Sequence, residues 1–146
     1  MRLAVTALPL LLLGIVPASA RAQAGSEEAA VRKALDHYLQ GHATGDGAHH
    51  RMAFYPQANL YFVQNGALTT LSSEEYASRS PGKPAADEAQ RKRRIVSVDI
   101  SGTAAIAKIE LDYPNVRFVD YMSLLKVNGE WKIIAKIFDR QNKAAP

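Results

Sequence analysis

From Ser26 the chain places Val31, Ala34, Leu35, Tyr38 and His42 at three- and four-residue spacing, which predicts a helix with its inward stripe along those positions. Ser26 can cap it, and Glu27 and Glu28 suit its first turn. Gly41 and Gly45 mark its exit, and Asp46 can cap a second, shorter helix through Phe54, stopped by Pro56. The period then changes to two. Residues 59–64 and 67–71 flank Asn65-Gly66, a strong hairpin signal because both turn positions want positive φ. Ser72-Ser73-Glu74-Glu75 forms a capping box with Leu71 and Tyr76 as a hydrophobic staple, giving a short helix to about Arg79. Residues 80–90, rich in Pro, Gly and Ala, are a loop and a candidate lid. Strands are expected over 95–100, 104–113, 116–127 and 130–139, the last two joined by the two-residue turn Asn128-Gly129. This order of helices and strands is α+β, with helices on one face of a curved, mainly antiparallel sheet.

The first twenty residues read as an address. Met1-Arg2 is a positive start, residues 4–16 are almost wholly apolar, and Pro17-Ala18-Ser19-Ala20 ends in a small-x-small pattern, as in a secretory signal peptide. A spanning anchor needs about 20 apolar residues, and Pro9, Gly14 and Pro17 interrupt this stretch, so no stable membrane anchor is expected. Cleavage after Ala20 leaves 126 residues with a net charge of +3, although Ala22 and Ala24 offer alternative sites. The expected organisation is a signal peptide over 1–20, a mobile leader over 21–25, one domain over 26–140 and a polar tail over 141–146. Localisation is accordingly secreted or periplasmic.

The whole chain, 146 residues with 47% apolar and 22% charged content, holds one core's worth of material. It has no cysteine, which excludes disulfides, thiolate metal sites and cysteine nucleophiles. The weak positive charge argues against nucleic acid. Its densest patch, Arg91-Lys92-Arg93-Arg94, reads as a solvated strand entrance that discourages edge-to-edge pairing, with an anion or membrane-surface contact as the alternative.

A two-residue turn fixes register, so the last hairpin can be read as geometry. Strict pairing outward from Asn128-Gly129 puts Trp131, Leu124, Ile133, Met122, Ala135, Asp120, Ile137 and Phe118 on one face. The other carries Leu125, Lys132, Ser123, Ile134, Tyr121, Lys136, Val119 and Phe138. The first, more apolar face should look at the helices. Asp120 is its anomaly, because an unpaired carboxylate there would cost several kcal/mol, so it must be partnered, protonated or wet. It is either a general base or polar anchor at the floor of a pocket, or a strand-end group bonded to a helix terminus or an Arg. Both roles predict that it does not sit alone in a dry core.

Tyr38, Tyr61 and Trp131 should point inward and, with Asp120 and Met122, would line any cavity left open, suited to a small lipophilic or aromatic ligand. Were there catalysis, Asp120 would be the base, with Tyr38 or Tyr55 as hydrogen-bond donor. Of the histidines, His37, His42, His49 and His50, none form an i, i+4 pair, so no metal is expected, nor any cofactor. His42 continues the inward stripe and could reach a cavity mouth, or simply end its helix. No phosphate loop, dinucleotide fingerprint or Gly-x-Ser-x-Gly is present.

The order of elements, together with Gly41…Gly45-Asp46, the run Phe54-Tyr55-Pro56-Gln57-Ala58, Ala104-Ala105-Ile106-Ala107 and the whole stretch 118–138, resembles the nuclear-transport-factor-2-like superfamily and, within it, the lumazine-binding branch. The resemblance implies a cone-shaped α+β barrel with about three helices on its concave face, a deep apolar cavity, and a homodimer through the outer sheet face. It also sets departures. Where the superfamily's ketosteroid isomerases carry a carboxylate base, this chain has Ala58-Asn59-Leu60-Tyr61-Phe62-Val63. Where its dehydratases pair an Asp with a third-strand His, Asp46 is present but Arg93-Arg94-Ile95 offers no His, so Asp46 is read as a helix cap. Tyr55 stands where the branch commonly has His. The reading is therefore an exported, non-enzymatic, homodimeric small-molecule-binding domain. The alternative is a cofactor-free lyase or isomerase working by proton transfer, and a third reading is an accessory subunit whose cavity its own side chains fill.

Overall fold

The computed structural model describes residues 18–144. Helix α1 (Ala18–Thr44) and helix α2 (Gly47–Ala53) precede strands β1 (Phe54–Gln64) and β2 (Ala67–Ser72). Helix α3 (Ser73–Ser78) and a 3₁₀ turn (Glu88–Gln90) lead into β3 (Lys92–Ser101), β4 (Ala104–Asp112), β5 (Val116–Val127) and β6 (Glu130–Asn142). The six strands form one curved, unclosed sheet in the order β2-β1-β6-β5-β4-β3, in which β1 and β6 run parallel and every other pair antiparallel. The result is an α+β cone with the helices on the concave face.

Local signals account for most of these boundaries. Asn65 and Gly66 hold φ of 52° and 79°, and Asn128 and Gly129 hold 52° and 85°, the left-handed pairs that two-residue hairpins require. Asp46 caps α2 by accepting from the Ala48 amide at 2.8 Å. Ser72 caps α3, with both halves of the capping box in place. Helix α1 already runs from Ala18, the first described residue, so it is in place before the expected start at Ser26, and residues 21–25 are helical rather than a loose leader. The alanine-rich run 18–24 contains nothing that breaks a helix, and Ser26 sits inside it with its hydroxyl donating back to the Gln23 carbonyl. Residues 1–17 of the expected signal segment lie outside the described residues. At the other end β6 takes in Gln141 and Asn142, expected as tail, because Arg117 and Val116 of β5 pair with them.

The core lies between α1 and the concave face, where Val31, Leu35 and Tyr38 pack on Leu60, Ile109, Leu111, Met122, Leu124 and Ile133. Trp131 is buried as expected, and its indole N–H donates to Glu27 at 2.9 Å, tying the start of α1 to the last hairpin.

The strict register fails at one place. Pairing runs as expected to Leu124↔Ile133, then jumps to Ser123↔Ala135, so β6 carries one extra residue at Ile134. Beyond that bulge every β6 side chain changes face. Ile137, expected inward, is 55% exposed, and Ala135 moves off the core face with it. Lys136 and Phe138, expected outward, turn in beneath the helices. The physical reason is that a fixed turn sets the register only as far as the first inserted residue.

Candidate functional site

The bulge delivers Lys136 to Asp120. The two side chains are 3% and 0% exposed, and Lys136 Nζ lies 3.1 Å from Asp120 Oδ1. Tyr38, from the middle of α1, joins them: its hydroxyl donates to Asp120 Oδ2 at 2.6 Å and accepts from Lys136 Nζ at 2.6 Å. The expected carboxylate anomaly is therefore answered by a tyrosine and a lysine, not by a helix terminus or an arginine. The ammonium also lies 4.6 Å from the centre of the Phe138 ring and 4.9 Å from that of Tyr38, where ring faces favour a cation.

Polar contacts continue outward from this pair. The Tyr76 hydroxyl, on α3, is 3.5 Å from that of Tyr38 and 2.8 Å from His42 Nε2 on the last turn of α1. His50 of α2 packs against the same rings, 4.8 Å from Tyr76 and 5.1 Å from His42 between centroids, and its Nδ1 is buried without a hydrogen-bond partner among the described residues. It fits there because Gly41 has no side chain: a Cβ at that position would lie 2.5 Å from the His50 ring.

His42, His50, Tyr76 and Phe138 line a cavity of about 330 Å³ together with the apolar side chains of Leu60, Phe62 and Leu71. The loop 79–91 borders it. That loop is held by Arg93, which grips both carboxylate oxygens of Glu88 at 2.6 and 2.8 Å and donates to the His42 carbonyl at 3.2 Å. Gly82 donates to the Gly45 carbonyl at 2.8 Å, and a Cβ on Gly45 would strike the Lys83 backbone. Three of the four residues in the basic patch are thus ion-paired, Arg91 to Asp87, Arg93 to Glu88 and Arg94 to Glu110.

Burial sets the protonation states. It lowers His42 well below the ordinary histidine range, reinforced by the Lys136 charge, and lowers His50 to about 4 for the same two reasons. It raises Tyr38, helped by the Asp120 charge, and raises Tyr76. Lys136 is lowered by burial, with Asp120 opposing. At neutral pH both histidines are neutral and both tyrosines keep their protons.

The residues expected at the site divide. Asp120 and Tyr38 are brought together, but behind the cavity wall and not on it. Met122 is buried in the core as the strand partner of Lys136. Trp131 lies at the hairpin end beside Glu27, away from the cavity. Tyr61 stands opposite the exposed Ile137, on the other face from Leu60 and Phe62, and Tyr55 is exposed on the edge of β1. The sequence pattern does not point to Lys136, Tyr76 or His50. The one signal for Lys136 is Asp120 itself, which cannot sit alone in a dry core; Tyr76 reads from the sequence as half of a staple. Among the described residues no three His, Asp or Glu side chains converge as metal ligands.

A curved, unclosed six-stranded sheet with three helices over a concave cavity is the nuclear-transport-factor-2-like fold. Within that fold the "Putative lumazine-binding" family model matches residues 26–139, and the chain belongs to that family. It is similar to a nuclear-transport-factor-2-like protein of unknown function from Shewanella baltica, 30% identical over 81% of this chain and 96% of that one, with a TM-score of 0.73. A second such protein, from Silicibacter pomeroyi, is 22% identical over 81% and 98% with a TM-score of 0.70. Among curated proteins it is similar to the aldolase FrzH of Cladobotryum sp., 23% identical over 69% of this chain and 81% of that protein. No helix among the described residues is long and apolar enough to cross a membrane.

Proposed function

We propose that the protein takes a small, largely apolar carbonyl compound into the cavity and moves a proton on it, as a cofactor-free lyase or isomerase. One observation carries the reading: a chain of polar contacts runs from the buried Asp120–Lys136 pair through Tyr38 and Tyr76 to His42 on the cavity wall. A buried ion pair gives little net stability over apolar residues of the same volume. Titratable groups perturbed together beside a cavity are where acid–base chemistry is found.

In this reading a bound carbonyl oxygen accepts the Tyr76 hydroxyl hydrogen bond. His42 Nε2, released from Tyr76, then takes the proton from the neighbouring carbon, and the electron pair moves to the oxygen as an enolate. The Lys136 charge behind Tyr76 stabilises that oxygen. Asp120 holds Lys136 and Tyr38 in place and is a positioning residue, not the base. The name of the FrzH relative, an aldolase, is consistent with enolate chemistry.

The exposed apolar row on the outer sheet face, Ile106, Tyr121 and Ile137, supports a homodimer through that face. The charged start and apolar run of residues 1–20 support export to the periplasm or beyond.

The test is proton–deuterium exchange at the carbon next to the carbonyl of phenylacetone in D₂O, followed by NMR. The wild-type protein should accelerate exchange over buffer, while Tyr76→Phe and His42→Ala should lose the acceleration and still bind the ketone. Binding without exchange in the wild type would leave a pure binding protein and refute the proton transfer. Native mass spectrometry of the exported protein reports subunit count and any retained ligand.

A further inference from the structure

The cavity's charge is one-sided. Its interior is apolar, with neutral His42, His50 and Tyr76 among its lining, while the bordering loop 79–91 lends it Arg79, Lys83 and Arg91; the loop's two carboxylates, Asp87 and Glu88, are taken up by Arg91 and Arg93. Arg91 is engaged, bonded to Asp87 at 2.7 Å and stacked over the Tyr113 ring at 4.3 Å. Arg79 and Lys83 are exposed and make no salt bridge within 4 Å among the described residues, the Glu75 carboxylate one turn before Arg79 feeling its charge at longer range. The loop that presents them is fixed from both sides, by Arg93 on Glu88 and by Gly82 on the Gly45 carbonyl. These two free cations are therefore held at the mouth of an apolar cavity, where low-dielectric walls strengthen the attraction for a charge of opposite sign.

We propose that the ligand is an amphiphile with an anionic end: a carboxylate at the mouth against Arg79 and Lys83, and an apolar or aromatic body inside against Leu60, Phe62 and Phe138. The volume of about 330 Å³ falls at the small end of ligand pockets, which suits a compact ligand such as a phenyl-substituted short-chain acid. This rests on the reading of the cavity as a ligand site and specifies what enters it. The buried Asp120–Lys136 pair is neutral overall, so it does not oppose an anion at the mouth.

Calorimetric titration with 3-phenylpropionate and 3-phenylpropanol tests it, because the two differ only in the head group. The acid should bind about tenfold tighter at 50 mM salt, the worth of two partly exposed ion pairs. That preference should shrink at 500 mM salt, and Arg79→Gln with Lys83→Gln should erase it while leaving alcohol binding unchanged. An alcohol that binds as tightly as the acid, or a preference that survives the double substitution, overturns this inference alone. If neither compound binds, the ligand-site reading falls and this inference with it.

Discussion

Asp120→Asn removes one charge from the most deeply buried ion pair and leaves the side-chain shape almost unchanged. The pair's oxygen and nitrogen are 3.1 Å apart and the side chains 0% and 3% exposed. At an effective dielectric of about 20 that separation corresponds to roughly 5 kcal/mol of attraction, and breaking a buried pair by removing one partner costs about 3–5 kcal/mol because the other charge is stranded. The expected loss at pH 7 is therefore about 3–5 kcal/mol. The pH dependence follows from Lys136. Burial already lowers its pKa, and Asp120 is what opposes the lowering, so in the variant it falls further. A group with a depressed folded pKa contributes stability above its unfolded value, near 10.5, and loses it as pH falls through the folded value. The deficit of Asp120→Asn against wild type should therefore be largest near neutral pH and shrink towards pH 10. Urea unfolding followed by circular dichroism at pH 7, 8.5 and 10 measures it. Asp120→Asn with Lys136→Met should cost less than the sum of the two single changes, since it strands no charge. A loss below about 1 kcal/mol, or one that stays constant with pH, would show that the pair is not the charged, dry contact described.

Three further outcomes follow from the same packing. Gly41→Ala would drive a methyl to within 2.5 Å of the His50 ring, so it should cost about 1–3 kcal/mol and weaken cavity binding, read by thermal unfolding and titration with 3-phenylpropionate. His50, lowered to about 4, contributes stability above its unfolded value near 6.5 that is lost as pH falls towards 4, about 3 kcal/mol in all; His50→Gln should flatten that part of the stability curve. Trp131→Ala should cost at least about 3 kcal/mol in chemical unfolding, and a near-neutral result would contradict the buried indole and its bond to Glu27.

The fold was legible because its punctuation is local. Asn65-Gly66, Asn128-Gly129, the Ser72–Glu75 box and the Asp46 cap each determine a boundary with groups a few residues apart, and each occurs where the chain pattern puts it. Periodicity likewise placed Val31, Leu35 and Tyr38 on the buried stripe of α1. What local pattern could not supply was the parallel pairing of β1 with β6, which joins strands from opposite ends of the domain, and the helical run ahead of Ser26, where alanine is permissive and no residue signals a beginning.

The site was legible only as a question. An aspartate on the apolar face of β5 implied a partner, and Tyr38 was in reach on either register. Lys136 was not, because alternation from the Asn128-Gly129 turn sends it to the outer face. A single inserted residue at Ile134 reverses that, and no short-range pattern marks it: Ile133-Ile134-Ala135-Lys136-Ile137-Phe138 satisfies both registers, offering an apolar side chain to the core in either. What decides between them is energetic and non-local. The unbulged strand would bury Ile137 beside Asp120 and leave the carboxylate without a cation; the bulged one exposes Ile137 and gains the Lys136–Asp120 and Lys136–Tyr38 contacts together with Phe138 stacked on Phe62. The bulge thus trades a buried isoleucine for a charged network beneath the cavity wall, an exchange of little value to stability alone. It makes sense if the network acts on whatever the cavity holds.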